Sequence, residues 1–309
     1  MTQDVQCLSK GTLEEETNYD VAAFGPDFIG VGPEKTGTSW IYEQLLSHDT
    51  VSMPKLKELR YFWEDQNYHC ENPLSRLANF SGWHRVRYRE ELMRLAKRAL
   101  KNPVQTFSDL DDLKWNLSYI FCKHDDEWYL KNFQHEHGYL SGEISPQYFF
   151  LKRQQIERIQ KILPEAKIII TLRHPEDWMS SFIKMGIRIG TFQKRYKGVE
   201  DFVQKKYGGS SLSEGCQEWI SAFGSDRVGV FFYDDLLNDP WKYYVDICSF
   251  LNIVPDEKRR DLVANRVNAA KTKKSDFSYS DQVREDWKQD IIRLADLFNH
   301  LPTCWLNRR

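Results

Sequence analysis

The chain has 309 residues, of which 41% are hydrophobic and 14% aromatic, and a formal net charge of −2. That apolar content is ample for a core. Near-neutrality excludes a nucleic-acid coat or a membrane-surface protein, both of which need clustered positive charge, although 43 Lys and Arg residues still allow local basic pockets.

Residues 1–23 read as a flexible leader, low in apolar content and carrying the acidic run Glu14-Glu15-Glu16. They have neither the basic start nor the apolar stretch of a signal peptide. Asp27 to Gly32 is a short apolar run ending in glycine, the mark of a buried strand, and Ser39 to His48 continues with helical character. From Trp63 to His137 the chain is rich in charged and aromatic residues and has no strong strand, so we expect a mainly helical insertion at about 64–137. A weaker strand follows at Tyr139 to Ile144. A helix then places Ile156, Ile159 and Leu163 on one side, and a second clear strand runs from Lys167 to Leu172. The third clear strand spans Arg227 to Tyr233. Behind it, Asn238-Asp239-Pro240 offers a cap and a first-turn proline, and Trp241, Tyr244, Val245, Cys248 and Leu251 form the expected buried stripe of the next helix. Val283, Trp287, Ile291 and Leu294 space as one face of a closing helix. Continuous apolar strands separated by helices indicate a mainly parallel sheet covered on both faces. Residues 24–309 are expected to form a single domain bearing the insertion.

No stretch of about 18 apolar residues runs uninterrupted, so no membrane span is expected. The six cysteines are scattered, with no C-x-x-C pair. Free thiols and a cytoplasmic location are the expectation.

Two loops carry the chemistry. Gly32-Pro33-Glu34-Lys35-Thr36-Gly37-Thr38-Ser39-Trp40 follows the first strand and opens a helix. Backbone N–H groups at such a helix start, with Thr and Ser hydroxyls nearby, suit a phosphate dianion. The order differs from a Walker A loop, in which lysine follows the second glycine and a hydroxyl ligates Mg²⁺; here Lys35 precedes Gly37. The second loop, Arg173-His174-Pro175, begins where the strand ending at Leu172 stops. Ligands of open α/β sheets bind beyond the carboxyl ends of the strands, and Ser181 follows the arginine by eight residues. An ion pair between Arg173 and a neighbour such as Asp177 is the plainer alternative.

With these residues the chain resembles the PAPS-dependent sulfotransferase family, in particular its bacterial and heparan-type branch. Pro33 to Trp40 looks like the family's 5′-phosphosulfate loop, with Glu34 inserted relative to the shortest version. Arg173 and Ser181 match its 3′-phosphate site, where His174 replaces the usual Asn or Asp. Gly142 to Phe149 and Tyr233 to Pro240, with Phe250-Leu251, resemble further family segments that serve mainly as scaffold. Val267-Asn268-Ala269-Ala270-Lys271 resembles a late loop that brings basic residues over the nucleotide.

The resemblance implies a P-loop-like three-layer αβα fold around a central, mainly parallel sheet. It also implies a sulfotransferase that moves a sulfuryl group from 3′-phosphoadenosine 5′-phosphosulfate (PAPS), leaving PAP, onto a hydroxyl or amine of a small molecule. Lys35, Thr36, Gly37, Thr38, Ser39 and Trp40 would hold one end of the nucleotide. Arg173 and Ser181 would hold the other, with a late lysine, Lys271, Lys273 or Lys274, over the 3′-phosphate. Lys55 to Phe62 resembles the segment in which a glutamate is the proposed base, so Glu58 is the expected base, with Lys57 beside it and Lys35 at the bridging oxygen. Arg60 stands where many relatives have histidine, and arginine cannot serve as a base.

No metal is required by this reading. His135 and His137 lack a third ligand, and a solvated face is the ordinary role for Asp109, Asp111, Asp112, Asp125, Asp126 and Glu127. If the insertion covers the acceptor site, those carboxylates favour a cationic acceptor; a natural product, such as a guanidinium toxin, is the expectation. Trp63, Trp83, Trp115 and Trp128 are candidates for pocket walls, with core packing as the default. No nucleic-acid or membrane partner is expected, and a homodimer is left open. The rivals are a P-loop kinase or NTPase, with Asp234 and Asp235 imitating a Walker B acid, and a catalytically silent nucleotide-binding protein of the same fold.

Overall fold

The computed structural model describes residues 25–63, 83–102, 110–133, 138–207, 211–264, 277–298 and 300–307. Five strands form one parallel sheet: β1 (Phe28–Gly32), β2 (Val51–Ser52), β3 (Leu140–Ile144), β4 (Lys167–Leu172) and β5 (Val228–Phe232), in the order β2-β3-β1-β4-β5. The register pairs Gly30 with Ile144 on one side and with Ile169 on the other, and Ile169 in turn pairs with Gly229. Because the side-chain period of a strand is two, Phe28, Ile169 and Phe231 share one face. Helices α1 (Thr38–Leu46) and, late in the chain, Pro240–Leu251 cover that face through Trp40, Ile41, Leu45, Tyr243, Tyr244 and Ile247. Ile168, Ile170 and Leu172 on the opposite side are also buried, and the helix Leu212–Phe223 lies against β4 and β5. The P-loop-like three-layer arrangement follows from sheet strands that are apolar on both faces.

The chain divides into two compact units, of which one contains Trp63–Gln134 and the other Pro26–Phe62 with His135–Arg309. The first is helical where described: α2 (Trp83–Lys101), α3 (Leu110–Phe121) and α4 (Asp126–Lys131). Trp115 stacks on Tyr119 at 5.4 Å and His124 on Trp128 at 3.8 Å. Each indole N–H is engaged, that of Trp115 with Asn132 and that of Trp128 with Ser118. These two tryptophans pack their own unit. The acidic residues are likewise employed locally: Asp125 caps α4 at Trp128 N, Asp112 accepts from Arg98, and Glu127 pairs with Lys131. Asp109, His135 and His137 lie outside the described residues.

In the second unit the helices continue as α5 (Arg153–Ile162), α6 (Pro175–Arg188), α7 (Phe192–Arg195), α8 (Val199–Tyr207), α9 (Leu212–Phe223), α10 (Tyr233–Asn238), α11 (Pro240–Leu251), α12 (Asp281–Leu297) and α13 (Thr303–Leu306). The buried stripe of α11 differs from expectation: Tyr243 and Ile247 replace Trp241 and Val245. The helix is turned toward α1 and the sheet, so Trp241 is left to receive the Arg260 guanidinium 4.4 Å above its ring. The stripe of α12 is as expected, with one addition. Asp290 is fully buried and accepts from Leu212 N (2.8 Å), Ser213 N (3.1 Å) and Ser213 Oγ (2.6 Å), which caps α9 from another helix. Asp290→Ala is therefore expected to destabilise the fold by about 1–3 kcal/mol for each buried donor left unsatisfied. Urea unfolding at neutral pH reads this as a lowered midpoint, and an unchanged midpoint would contradict the capping role.

No helix among the described residues is long and apolar enough to cross a membrane. Cys216, Cys248 and Cys304 are thiols outside any disulfide, whereas Cys122 is disulfide-bonded. That bond corrects the expectation of free thiols throughout.

Candidate active site

The site lies beyond the carboxyl ends of β1, β3 and β4. At the end of β1, Gly32 has φ +89, and a Cβ there would sit 2.6 Å from the Pro146 backbone, so only glycine allows the loop after β3 to approach. The chain then runs through Pro33 to Gly37, whose φ of +100 turns it into α1. Among the described residues no side chain caps that helix start; Trp40 N bonds to Gly37 O at 2.9 Å, and the N–H groups of Thr38 and Ser39 remain available to an anion. Thr36 faces inward: its hydroxyl donates to Pro33 O at 2.5 Å and meets Thr171 Oγ1 at 2.5 Å. This side chain ties the loop to β4 and leaves the backbone as its offering to a ligand. Thr38 is buried as well, and the Trp40 ring lies in the core, its N–H bonded to Val263 O at 2.9 Å.

Lys35 adopts φ +70, a left-handed conformation that L side chains rarely take. Burial pushes its ammonium below the usual lysine range. The charges of Arg188, Arg173 and Lys57 act in the same direction, against an upward pull from Glu34. Three further cations are thus coupled to Lys35, and Arg188, on the last turn of α6, was not expected among them. A concentration of positive charge in a partly buried site is what a polyanionic ligand would neutralise.

Arg173 extends from the end of β4. Its Nη1 donates to Lys35 O at 3.4 Å, and its guanidinium lies 4.5 Å from the Tyr233 ring centroid. Its Nε is buried without a hydrogen-bond partner. Among the described residues Arg173 forms no ion pair, so the alternative with Asp177 is not realised. Tyr233 also stands against Gly37, where a Cβ would come within 3.1 Å of the ring; one aromatic ring thus contacts both loops. Ser181 is half-buried two turns into α6. Lys271 and Lys273 lie outside the described residues.

Glu58 and Arg60 also have left-handed backbones, with φ of 62 and 58. Such conformations cost about 1–3 kcal/mol each and collect at functional sites. Arg60 donates to Glu58 Oε2 through Nη2 (2.5 Å) and Nε (3.2 Å), and Lys57 Nζ lies 3.8 Å from Oε1. Burial alone would raise the Glu58 carboxyl; the charge and hydrogen bonds of Arg60, helped by Lys57 and Gln147, outweigh it and hold the group below the ordinary carboxylate range. Lys57 Nζ also donates to Ser39 Oγ at 2.7 Å, which joins this loop to α1.

The loop is held from β3. Glu143, fully buried, accepts from Ser145 Oγ (2.6 Å) and Tyr148 OH (3.2 Å), and those two oxygens accept in turn from Arg60 N (3.3 Å) and Phe62 N (3.2 Å). Burial and the Glu143 charge push the Tyr148 phenol well up, so it remains a donor. The segment Gly142 to Phe149 is scaffold in this specific sense. Gln147, within the same segment, donates to both Glu34 and Glu58. Its place just past the carboxyl end of a parallel strand was the available signal. Asp234, proposed as a Walker B mimic in the kinase alternative, accepts from Trp305 Nε1 at 2.9 Å.

Residues 26–257 match the model of a sulfotransferase family. No curated protein matches the chain. Among solved structures, a sulfotransferase from Alicyclobacillus acidocaldarius is 20% identical and superposes with a TM-score of 0.56 over 91% of this chain and 98% of that one. The sulfotransferase domain of the Synechococcus PCC 7002 olefin synthase is 19% identical, with a TM-score of 0.52 over 90% and 97%. These likenesses concern the fold.

Proposed function

The chain belongs to the sulfotransferase family, and from that premise we propose that it transfers the sulfuryl group of PAPS to a hydroxyl or amine of a small-molecule acceptor of natural-product type. The observation that carries the proposal is the junction of the two loops. Arg173 reaches the Lys35 carbonyl and keeps a buried N–H unpaired, next to an uncapped helix start. A buried donor without a partner costs about 1–3 kcal/mol, and a phosphate oxygen would satisfy it. The donor set therefore fits a ligand with two separated phosphate groups.

Bound PAPS supplies the sulfuryl group, with a phosphate as its leaving group. The protein's share is positioning and charge. The helix start and Ser39 hold the 5′ end, and Lys35 places its ammonium at the bridging oxygen. Arg173 and Ser181 hold the 3′-phosphate. Glu58 takes the acceptor proton, and Lys57, bonded to Ser39, neutralises charge between the phosphate loop and the base.

Calorimetric titration with PAP tests the reading. The wild-type chain is expected to bind, and Arg173→Ala to bind about 10–100-fold more weakly, as befits a lost charge-assisted hydrogen bond worth roughly 1.5–3 kcal/mol. A wild-type chain that ignores PAP, or an Arg173→Ala variant of equal affinity, refutes it.

A further inference from the structure

We propose that Gln147 is a positioning residue that fixes the Glu58 carboxylate relative to the phosphate loop, with Glu34 as its second anchor; this rests on the role given to Glu58 above. Gln147 is 7% exposed. Its Nε2 donates to Glu34 Oε1 at 2.8 Å and to Glu58 Oε2 at 3.2 Å, while its Oε1 is buried with no partner. A stranded carbonyl oxygen is costly. Turning the amide over would present that oxygen to two carboxylates and strand both instead, so the two acids dictate its orientation. The amide has two N–H donors and no charge, and can bridge two anions without becoming the counter-ion of either.

The partners of Glu58 divide by where they are attached. Arg60 and Lys57 belong to the same loop as Glu58, so they set its charge and rotamer relative to that loop. Gln147 belongs to the turn after β3 and sets the carboxylate relative to the sheet. Through Glu34 the same amide reaches the residue next to Lys35. The base and the cation expected at the bridging oxygen are thereby placed in one frame. A general base must lie within hydrogen-bond reach of the proton it takes, and a displacement of about 1 Å costs on the order of 10²-fold in rate. Among the groups that act on Glu58 are Arg60, Lys57, Gln147 and, across the amide, Glu34.

The test is steady-state kinetics with PAPS and an accepted acceptor, alongside PAP titration and thermal unfolding. Gln147→Met has similar bulk and no donors. It is expected to bind PAP as the wild type does and to unfold at no lower temperature, because the stranded oxygen disappears with the donors. Its kcat should fall about 10–100-fold with little change in the acceptor KM. The acid limb of its kcat–pH profile should move upward, since Glu58 loses a hydrogen bond that favours its charged form. Glu34→Leu should lower kcat by less, Glu34→Gln should recover most of that loss by restoring an oxygen for the amide, and Glu34→Leu combined with Gln147→Met should be no slower than Gln147→Met alone. Wild-type kinetics in Gln147→Met, a fall in kcat with an unmoved acid limb, or additive effects in the double variant would each overturn the positioning role. A wild-type chain that binds no PAP and transfers nothing would remove the underlying reaction, and the positioning role with it.

Discussion

Lys35→Ala is expected to lower sulfuryl transfer by about 10²–10³-fold or more, the loss typical when a preorganised donor to developing charge is removed. The ammonium stands in a partly buried site among Arg173, Arg188 and Lys57, and these charges together with burial hold it below the normal lysine range. A charge so placed, with little water to screen it, acts strongly on an oxygen that becomes anionic as the S–O bond breaks. Single-turnover measurements with saturating PAPS isolate this step from nucleotide binding. The φ of +70 at Lys35 adds a second readout. Lys35→Gly should be as inactive as Lys35→Ala yet more stable than it by about 1–2 kcal/mol, because glycine adopts the left-handed region without the Cβ clash. Equal stability of the two variants would mean that the backbone is relaxed there. A Lys35→Ala variant of near-normal rate would remove Lys35 from the chemistry.

Glu58→Gln should reduce kcat by about 10²–10⁴-fold, the usual contribution of a positioned general base, and leave PAP affinity unchanged. Glutamine keeps the length of the side chain and an oxygen for Arg60 but cannot take a proton. The pH profile gives an independent check. The base works as the carboxylate, so rate rises with pH through the Glu58 pKa, and because Arg60, Lys57 and Gln147 hold that pKa below the ordinary range against burial, the acid limb should lie below that of a free glutamate. Lys35 works as the cation, so rate falls as pH rises through its pKa. That pKa is lowered in the free protein, which places the alkaline limb of kcat/KM below the usual lysine range. A Glu58→Gln variant with full rate would mean that another group, or water, accepts the proton.

The layered fold and the placement of two loops, around Lys35 and Arg173, at strand ends were legible because the features behind them are local. Strands β1 and β4 are apolar runs buried on both faces, and β5 is an apolar run buried at both ends and half-buried between. Pro175 and Pro240 start helices where proline's fixed φ suits a first turn, and Gly37 permits a turn closed to other residues. The buried stripe of α11 lies two positions along from expectation at two of its members, because spacing alone allows a broad apolar arc to face the sheet in more than one rotation. Packing against α1 chose Tyr243 and Ile247.

What the amino-acid order determined by itself was where strands end and phosphate-type loops begin, and hence that Lys35 and Arg173 sit at the carboxyl ends of parallel strands; backbone conformation and short-range burial decide such things within a few residues. The tertiary structure alone decided which side chains meet there. Gln147 reaches Glu34 and Glu58 across separations of 113 and 89 residues, and Tyr233 stands beside both Gly37 and Arg173. A hydrogen bond or ring contact acts over a few ångströms of space and carries no trace in local spacing, so the partners of the proposed catalytic groups emerge only when the sheet brings its strand ends together.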